Sequence, residues 1–116
     1  MFHELISDVA NRMKGLQNVI LAATDGITVS KLAQRDEDEL MVVEAANLVR
    51  DCHRFGAELE SGELKHLVFA YGEKTVVIQM VNDEYFLMGI CSKENWTGKL
   101  KYLLRVKSLE CHNIIE

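Results

Sequence analysis

Two periods alternate along the chain. Phe2, Leu5, Ile6, Val9 and Met13 recur at steps of three and four with Glu4, Asp8, Asn11 and Arg12 between them, the pattern of an amphipathic helix. Gly15 follows, and its place predicts a left-handed residue closing that helix, with Leu16 making the apolar contact of a Schellman cap. The next stretch is two β-prone runs, 19–24 and 27–30, separated by Asp25-Gly26. A two-residue Asp-Gly predicts a type I′ hairpin in which both central residues have φ > 0, so Asp25 and Gly26 are assigned the structural turn.

The pattern breaks at Gln34-Arg35-Asp36-Glu37-Asp38-Glu39. Asp36 and Glu39 have capping-box spacing, and four acids suit the positive end of a helix, so the run reads as a solvated helix start rather than a ligand site. A long helix is predicted from Asp38 to about Leu59. Met41, Ala45, Leu48, Cys52, Phe55 and Leu59 form one apolar stripe, and Val42, Ala46, Val49 and His53 form a second beside it. Together they cover about half the circumference, more than the ~100° that docks a helix on one core. A helix sunk in its own core is the plainer explanation. In so short a chain a core seldom surrounds a helix on two sides, so the width predicts self-association. Ala45, Ala46 and Gly56 are small enough to admit a second backbone.

Three strand-like runs follow, Leu64 to Tyr71, Thr75 to Val81 and Tyr85 to Cys91, joined by Gly72-Glu73 and Asn82-Asp83. Connectors that short predict an antiparallel meander. The second and third runs are apolar at consecutive positions, so helices must cover both faces of the sheet. The first is mixed, with Lys65 and His66 on opposite faces, and suits an edge. A last helix is predicted over 95–106, started by Ser92 or Asn95, with Leu100, Leu103, Leu104 and Val106 turned inward. Its cations Lys99, Lys101, Arg105 and Lys107 spread around the wheel and read as a solvated surface. The fold class is α+β, in one domain over residues 1–116.

A net charge of −5 and a pI near 5.4 disfavour a nucleic-acid partner, which needs a cationic footprint. Three cysteines without C-x-x-C spacing point to a reducing compartment, hence a cytoplasmic location. The N-terminus lacks the features of a signal peptide, and no apolar run reaches the length of a membrane span. Gly98-Lys99 lacks the rest of a phosphate-binding loop, and no zincin, nucleophile-elbow or EF-hand motif occurs. Cys52-His53 and Cys111-His112 are adjacent pairs pointing about 100° apart on a helix, a poor chelate, so neither metal nor cofactor is expected. Without a paired acid and base or an activated nucleophile, an enzyme is the weakest class.

The apolar strand into Thr24-Asp25-Gly26 with Ile27 and Val29 beyond it, the pair Ala45-Ala46 in the long helix, and the run from Asn95 to Gly98-Lys99-Leu100 resemble the roadblock/dynein light chain family. The element order is similar along essentially the whole chain. The resemblance implies a five-stranded antiparallel sheet with the long helix on one face and the terminal helices on the other. It also implies a homodimer joined through the middle strand, with Leu64, His66 and Val68 on the paired edge and Val42, Ala46, Val49 and His53 facing the partner. On that basis Ala46→Glu or Val49→Glu is expected to separate the dimer. The implied function is that of the bacterial MglB-like branch: regulating or scaffolding a small Ras-like GTPase, with stimulation of GTP hydrolysis in that branch. Neither Arg50 nor Arg54 is aimed by the sequence at a γ-phosphate. The competing readings are a dynein-type multiprotein scaffold without GTPase contact and a small-ligand sensor.

Overall fold

The computed structural model describes residues 1–92 and 96–115. Its elements are α1 (Phe2–Arg12), β1 (Leu16–Ala23), β2 (Thr28–Lys31), α2 (Asp36–Leu59), β3 (His66–Ala70), β4 (Thr75–Met80), β5 (Tyr85–Cys91) and α3 (Thr97–Ile115). The five strands form one antiparallel sheet in the order β2-β1-β5-β4-β3, which leaves β2 and β3 as its edges.

The consecutive apolar positions of the central strands divide between two cores. Ile20, Ala22, Ile78, Met80, Phe86, Met88 and Ile90 point toward α2. Val19, Leu21, Val77, Leu87 and Cys91 point the other way, against Ile6 and Val9 of α1 and Leu100, Leu103 and Leu104 of α3. Helices therefore cover both faces, as the strand pattern requires. Gly89 makes room for α3 on the sheet. A Cβ there would come within 2.8 Å of Leu100 Cδ1 and 3.1 Å of Leu104 Cδ1.

Local chemistry departs from expectation at both ends of the hairpin region. α1 ends at Arg12, and Met13 is extended (φ −142°, ψ 126°), so there is no Schellman cap. Gly15 is left-handed (φ +81°) within the turn into β1, where its carbonyl accepts the Ser92 backbone N–H at 3.1 Å and the Ser92 hydroxyl at 3.3 Å. Ser92 thus ties the start of β1 to the end of β5. The Asn95 start predicted for the last helix lies outside the described residues. The hairpin turn is one residue longer than type I′. Gly26 N–H donates to the Ala23 carbonyl at 2.9 Å and Ala23 N–H to the Ile27 carbonyl at 2.8 Å, leaving Thr24, Asp25 and Gly26 in the loop. Only Gly26 has positive φ (+96°), while Asp25 Oδ1 accepts the Ile27 N–H at 3.0 Å. This is the three-residue loop in which a glycine follows a tight turn.

The acidic run is not a capping box either. α2 begins at Asp36, after an extended Arg35, and no side chain caps it. Asp38 is buried instead, and Asn18 Nδ2 donates to its Oδ2 at 2.6 Å. Asn18, itself fully buried in β1, also donates to the Ala33 carbonyl, and its Oδ1 accepts the N–H groups of Ala33 and Val19. One amide side chain thereby fixes the β2–α2 connection to the sheet.

α3 runs to Ile115, well past the predicted end. Lys107 is 7% exposed rather than solvated, and its Nζ pairs with Asp8 Oδ2 at 2.6 Å and Glu110 Oε2 at 3.2 Å, joining α3 to α1. Burial alone would lower the Lys107 pKa, but hydrogen bonds to Asp8 and Glu110 outweigh it and the net shift is upward. The Lys107 hydrogen bond holds Asp8 below its ordinary value. Burial pushes the Cys111 thiol up to about 11, which leaves it protonated and unreactive at neutral pH. Among the described residues, no helix is long and apolar enough to cross a membrane.

Candidate interaction surface

The two stripes of α2 have the opposite roles from those the resemblance implies. Val42, Ala46 and Val49 are at most 1% exposed and pack on the chain's own sheet, so they cannot face a partner. With Ala45 they pack on the larger side chains that the sheet supplies, Ile20, Ile78, Phe86 and Met88. His53 continues that stripe, half-buried, with a buried Nε2 that has no hydrogen-bond partner among the described residues. Gly56 serves a local purpose: Ser61 folds back so that its N–H and hydroxyl both donate to the Gly56 carbonyl.

The outward stripe lies along the open side of β3. Leu48, Phe55 and Leu59 are 44%, 61% and 58% exposed. Leu67 and Phe69 of β3 point to the same side, since they pack on the α2 core, as does Leu64 just before the strand. Helix and strand border two adjoining hollows. The larger, of about 460 Å³, is lined by Cys52, Phe55, Leu59, Leu64 and Leu67. The smaller, of about 150 Å³, is lined by Met41, Leu48, Phe69, Tyr71 and Val76. Their outer wall is missing, and beyond β3 the sheet offers a row of unpaired backbone groups. An apolar groove continuous with a free strand edge is suited to association through added β-pairing and side-chain burial together.

His66 and Val68 belong to the edge strand but point away from α2. They pair in register with Gln79 and Val77, which face α1 and α3. Asp25 and Gly26 hold the hairpin turn, where the Arg50 guanidinium donates to the Thr24 carbonyl and to Asn47 Oδ1. Beside that turn, a second apolar patch lies at the other edge of the sheet. Ile27 and Val29 of the hairpin and Leu40 and Val43 of α2 are all exposed where the two elements meet: a Cβ on Gly26 would lie 3.6 Å from Val43 Cγ2, and Lys31 pairs with Glu39 at 3.7 Å. Residue-by-residue reading missed this patch because its members come from two elements, each with unremarkable exposed positions. No group of three or more metal-ligating side chains occurs among the described residues.

No family model matches the sequence, and no curated protein does. The backbone path is another matter. A Roadblock/LC7 domain from Streptomyces avermitilis superposes with a TM-score of 0.87 at 16% identity, over 97% of this chain and 96% of that one. The chain has the Roadblock/LC7 fold. Myxococcus xanthus MglB has the same fold, with a TM-score of 0.87 at 13% identity over 98% of this chain and 94% of its own. MglC from Myxococcus xanthus is 25% identical over 97% of both chains, with a TM-score of 0.65. Identity and superposition order these structures differently, so the Roadblock/LC7 assignment rests on the course of the backbone.

Proposed function

We propose that the protein is a non-enzymatic, homodimeric regulator or scaffold that binds a small Ras-like GTPase. The observation that carries the dimer is the open groove between α2 and β3. Pairing β3 with its copy would satisfy the free edge and bury Leu48, Phe55 and Leu59 against their counterparts, toward the ~800 Å² per partner of a stable interface. The fold shared with MglB and MglC supports a GTPase as the further partner, and the patch of Ile27, Val29, Leu40 and Val43 at the opposite edge would stay open in such a dimer to receive it.

The regulator would supply no chemical group. Arg50 is held by Thr24 and Asn47, and Arg54 pairs with Asp51 at 2.8 Å on the surface, so neither long side chain is kept free as a finger. Stimulation of hydrolysis would come from binding the hydrolysing arrangement of the GTPase switch loops more tightly than the resting one.

The deciding measurement is binding to a small Ras-like GTPase of the same organism, loaded with GTP or GDP, with hydrolysis followed at saturation. GTP-selective binding with faster turnover establishes an activator, and selective binding alone establishes an effector or scaffold. No binding in either state, with a GTPase shown to be active, rejects the GTPase reading and leaves a scaffold for other proteins.

A further inference from the structure

The face of the sheet opposite α2 is incompletely covered. α1 and α3 lie over β1, β5 and β4, while the β3 residues that point to that side, His66, Val68 and Ala70, are exposed. Between this bare strip and α3 lies a groove of about 380 Å³ lined by Lys65, His66, Gln79, Lys101, Tyr102 and Arg105.

We propose that this groove docks an acidic segment of a partner protein. Three permanent cations and a histidine line it without a single carboxylate, in a chain whose net charge is −5. Among the described residues, the side chains of Lys65, Lys101 and Arg105 make no ion pair or hydrogen bond. Elsewhere Arg12, Lys31, Arg35, Arg54 and Lys107 each have an acid. The positive charge of Lys101 and Arg105 is thus unpaired within the groove, while Glu63 and Asp83 lie in the adjoining hollow that shares Lys65 and Gln79 with it. Gln79 makes the floor firm: its Nε2 donates to the backbone carbonyls of Lys65 at 3.1 Å and Met80 at 3.3 Å.

The rest of the lining favours a peptide over a nucleic acid. Tyr102 in the lining is 67% exposed, and Val68, on the bare strip of β3 next along the strand face from His66, is 37% exposed, so apolar contact is on offer beside the cations for an extended segment that alternates apolar and acidic residues. The acidic remainder of the surface would repel a long phosphate backbone. The site goes beyond the proposed dimer and does not depend on it, because pairing through the β3 edge lies in the plane of the sheet and leaves this face open. Like-charge repulsion from the other surfaces would also orient the acidic segment toward the groove.

The test is a titration of isotope-labelled protein, followed by NMR, with a short synthetic peptide of alternating glutamate and leucine. Shifts should concentrate on Lys65, His66, Val68, Lys101, Tyr102 and Arg105. Lys101→Glu or Arg105→Glu, both on the exposed side of α3, should weaken binding roughly tenfold or more. Lys74→Glu, in the β3–β4 turn, should leave it unchanged. Equal binding of a lysine-leucine peptide, shifts confined to the α2 groove, or indifference to both reversals would overturn the proposal. So would tighter binding of a single-stranded oligonucleotide, which would make the groove a phosphate site.

Discussion

The inward and outward faces of α2 are both apolar, yet one holds Val42, Ala46 and Val49 out of solvent and the other leaves Leu48, Phe55 and Leu59 roughly half exposed. Hydrophobicity does not distinguish them; size does. Alanine and valine suffice on the inner face because Ile20, Phe86 and Met88 of the sheet already supply the volume there. Leucine and phenylalanine reach sideways past the edge strand and enclose the hollows beside β3. A helix with two apolar faces therefore turns its smaller residues to a preformed sheet and its larger ones to whatever comes next.

Charge placed on each face should separate the two roles most sharply. Ala46→Glu puts an unpaired carboxylate into a filled core and should cost about 3–5 kcal/mol, seen as loss of the folded state in urea-monitored circular dichroism. If Ala46→Glu instead gives a folded monomer, the inner face belongs to the interface after all. Phe55→Glu should do what Ala46→Glu cannot: leave the monomer folded and halve the mass in sedimentation. An unchanged dimer would sink the groove as its interface.

Acid should probe the far side of the sheet before either face of α2. Asp8 has a lowered pKa, so its contribution is complete above the ordinary carboxylate value of 3.8 and is lost as pH falls through the lower folded value. Lys107 is raised, so its contribution is complete below 10.5 and is lost as pH rises through the higher folded value. Asp8→Asn should flatten both limbs of the stability profile, with hydrogen exchange in α1 rising first. A profile identical to that of the unsubstituted protein would remove the pair from the account. The smallest change sharpens the end of α2, where Glu60 sits in the left-handed region (φ +54°). Glu60→Gly should relieve about 1 kcal/mol of backbone strain, read as a higher melting temperature.

The architecture was legible because its signals are local and periodic. The steps of three and four from Phe2 to Met13, the short connectors after β3 and the unbroken apolar runs of β4 and β5 each fix an element without reference to the rest. The width of the apolar arc on α2 was legible too. Which half faced the sheet was not, because the answer lies in the volume of side chains twenty or more residues away. The same holds for charge. Asp38 sits in an acidic run that reads as solvated until Asn18 is brought against it, and Lys107 stays a surface lysine until α1 delivers Asp8. On a wheel, Lys101 and Arg105 are two scattered cations. They become one feature only when β3 brings Lys65 and His66 alongside.

Asn18 shows how little freedom such a contact leaves. Its amide uses two donor hydrogens and two acceptor lone pairs on four different bonds, the full capacity of the side chain. Aspartate would set a second carboxylate against Asp38, and serine or alanine would abandon buried partners. Leucine, close in size, would leave all of them unsatisfied. Most of the core tolerates exchange among apolar residues of similar volume. Position 18 admits no such synonym: three of its four bonds go to backbone groups of Val19 and Ala33, which no compensating change at Asp38 could satisfy, so the junction between sheet and long helix is pinned at this one residue.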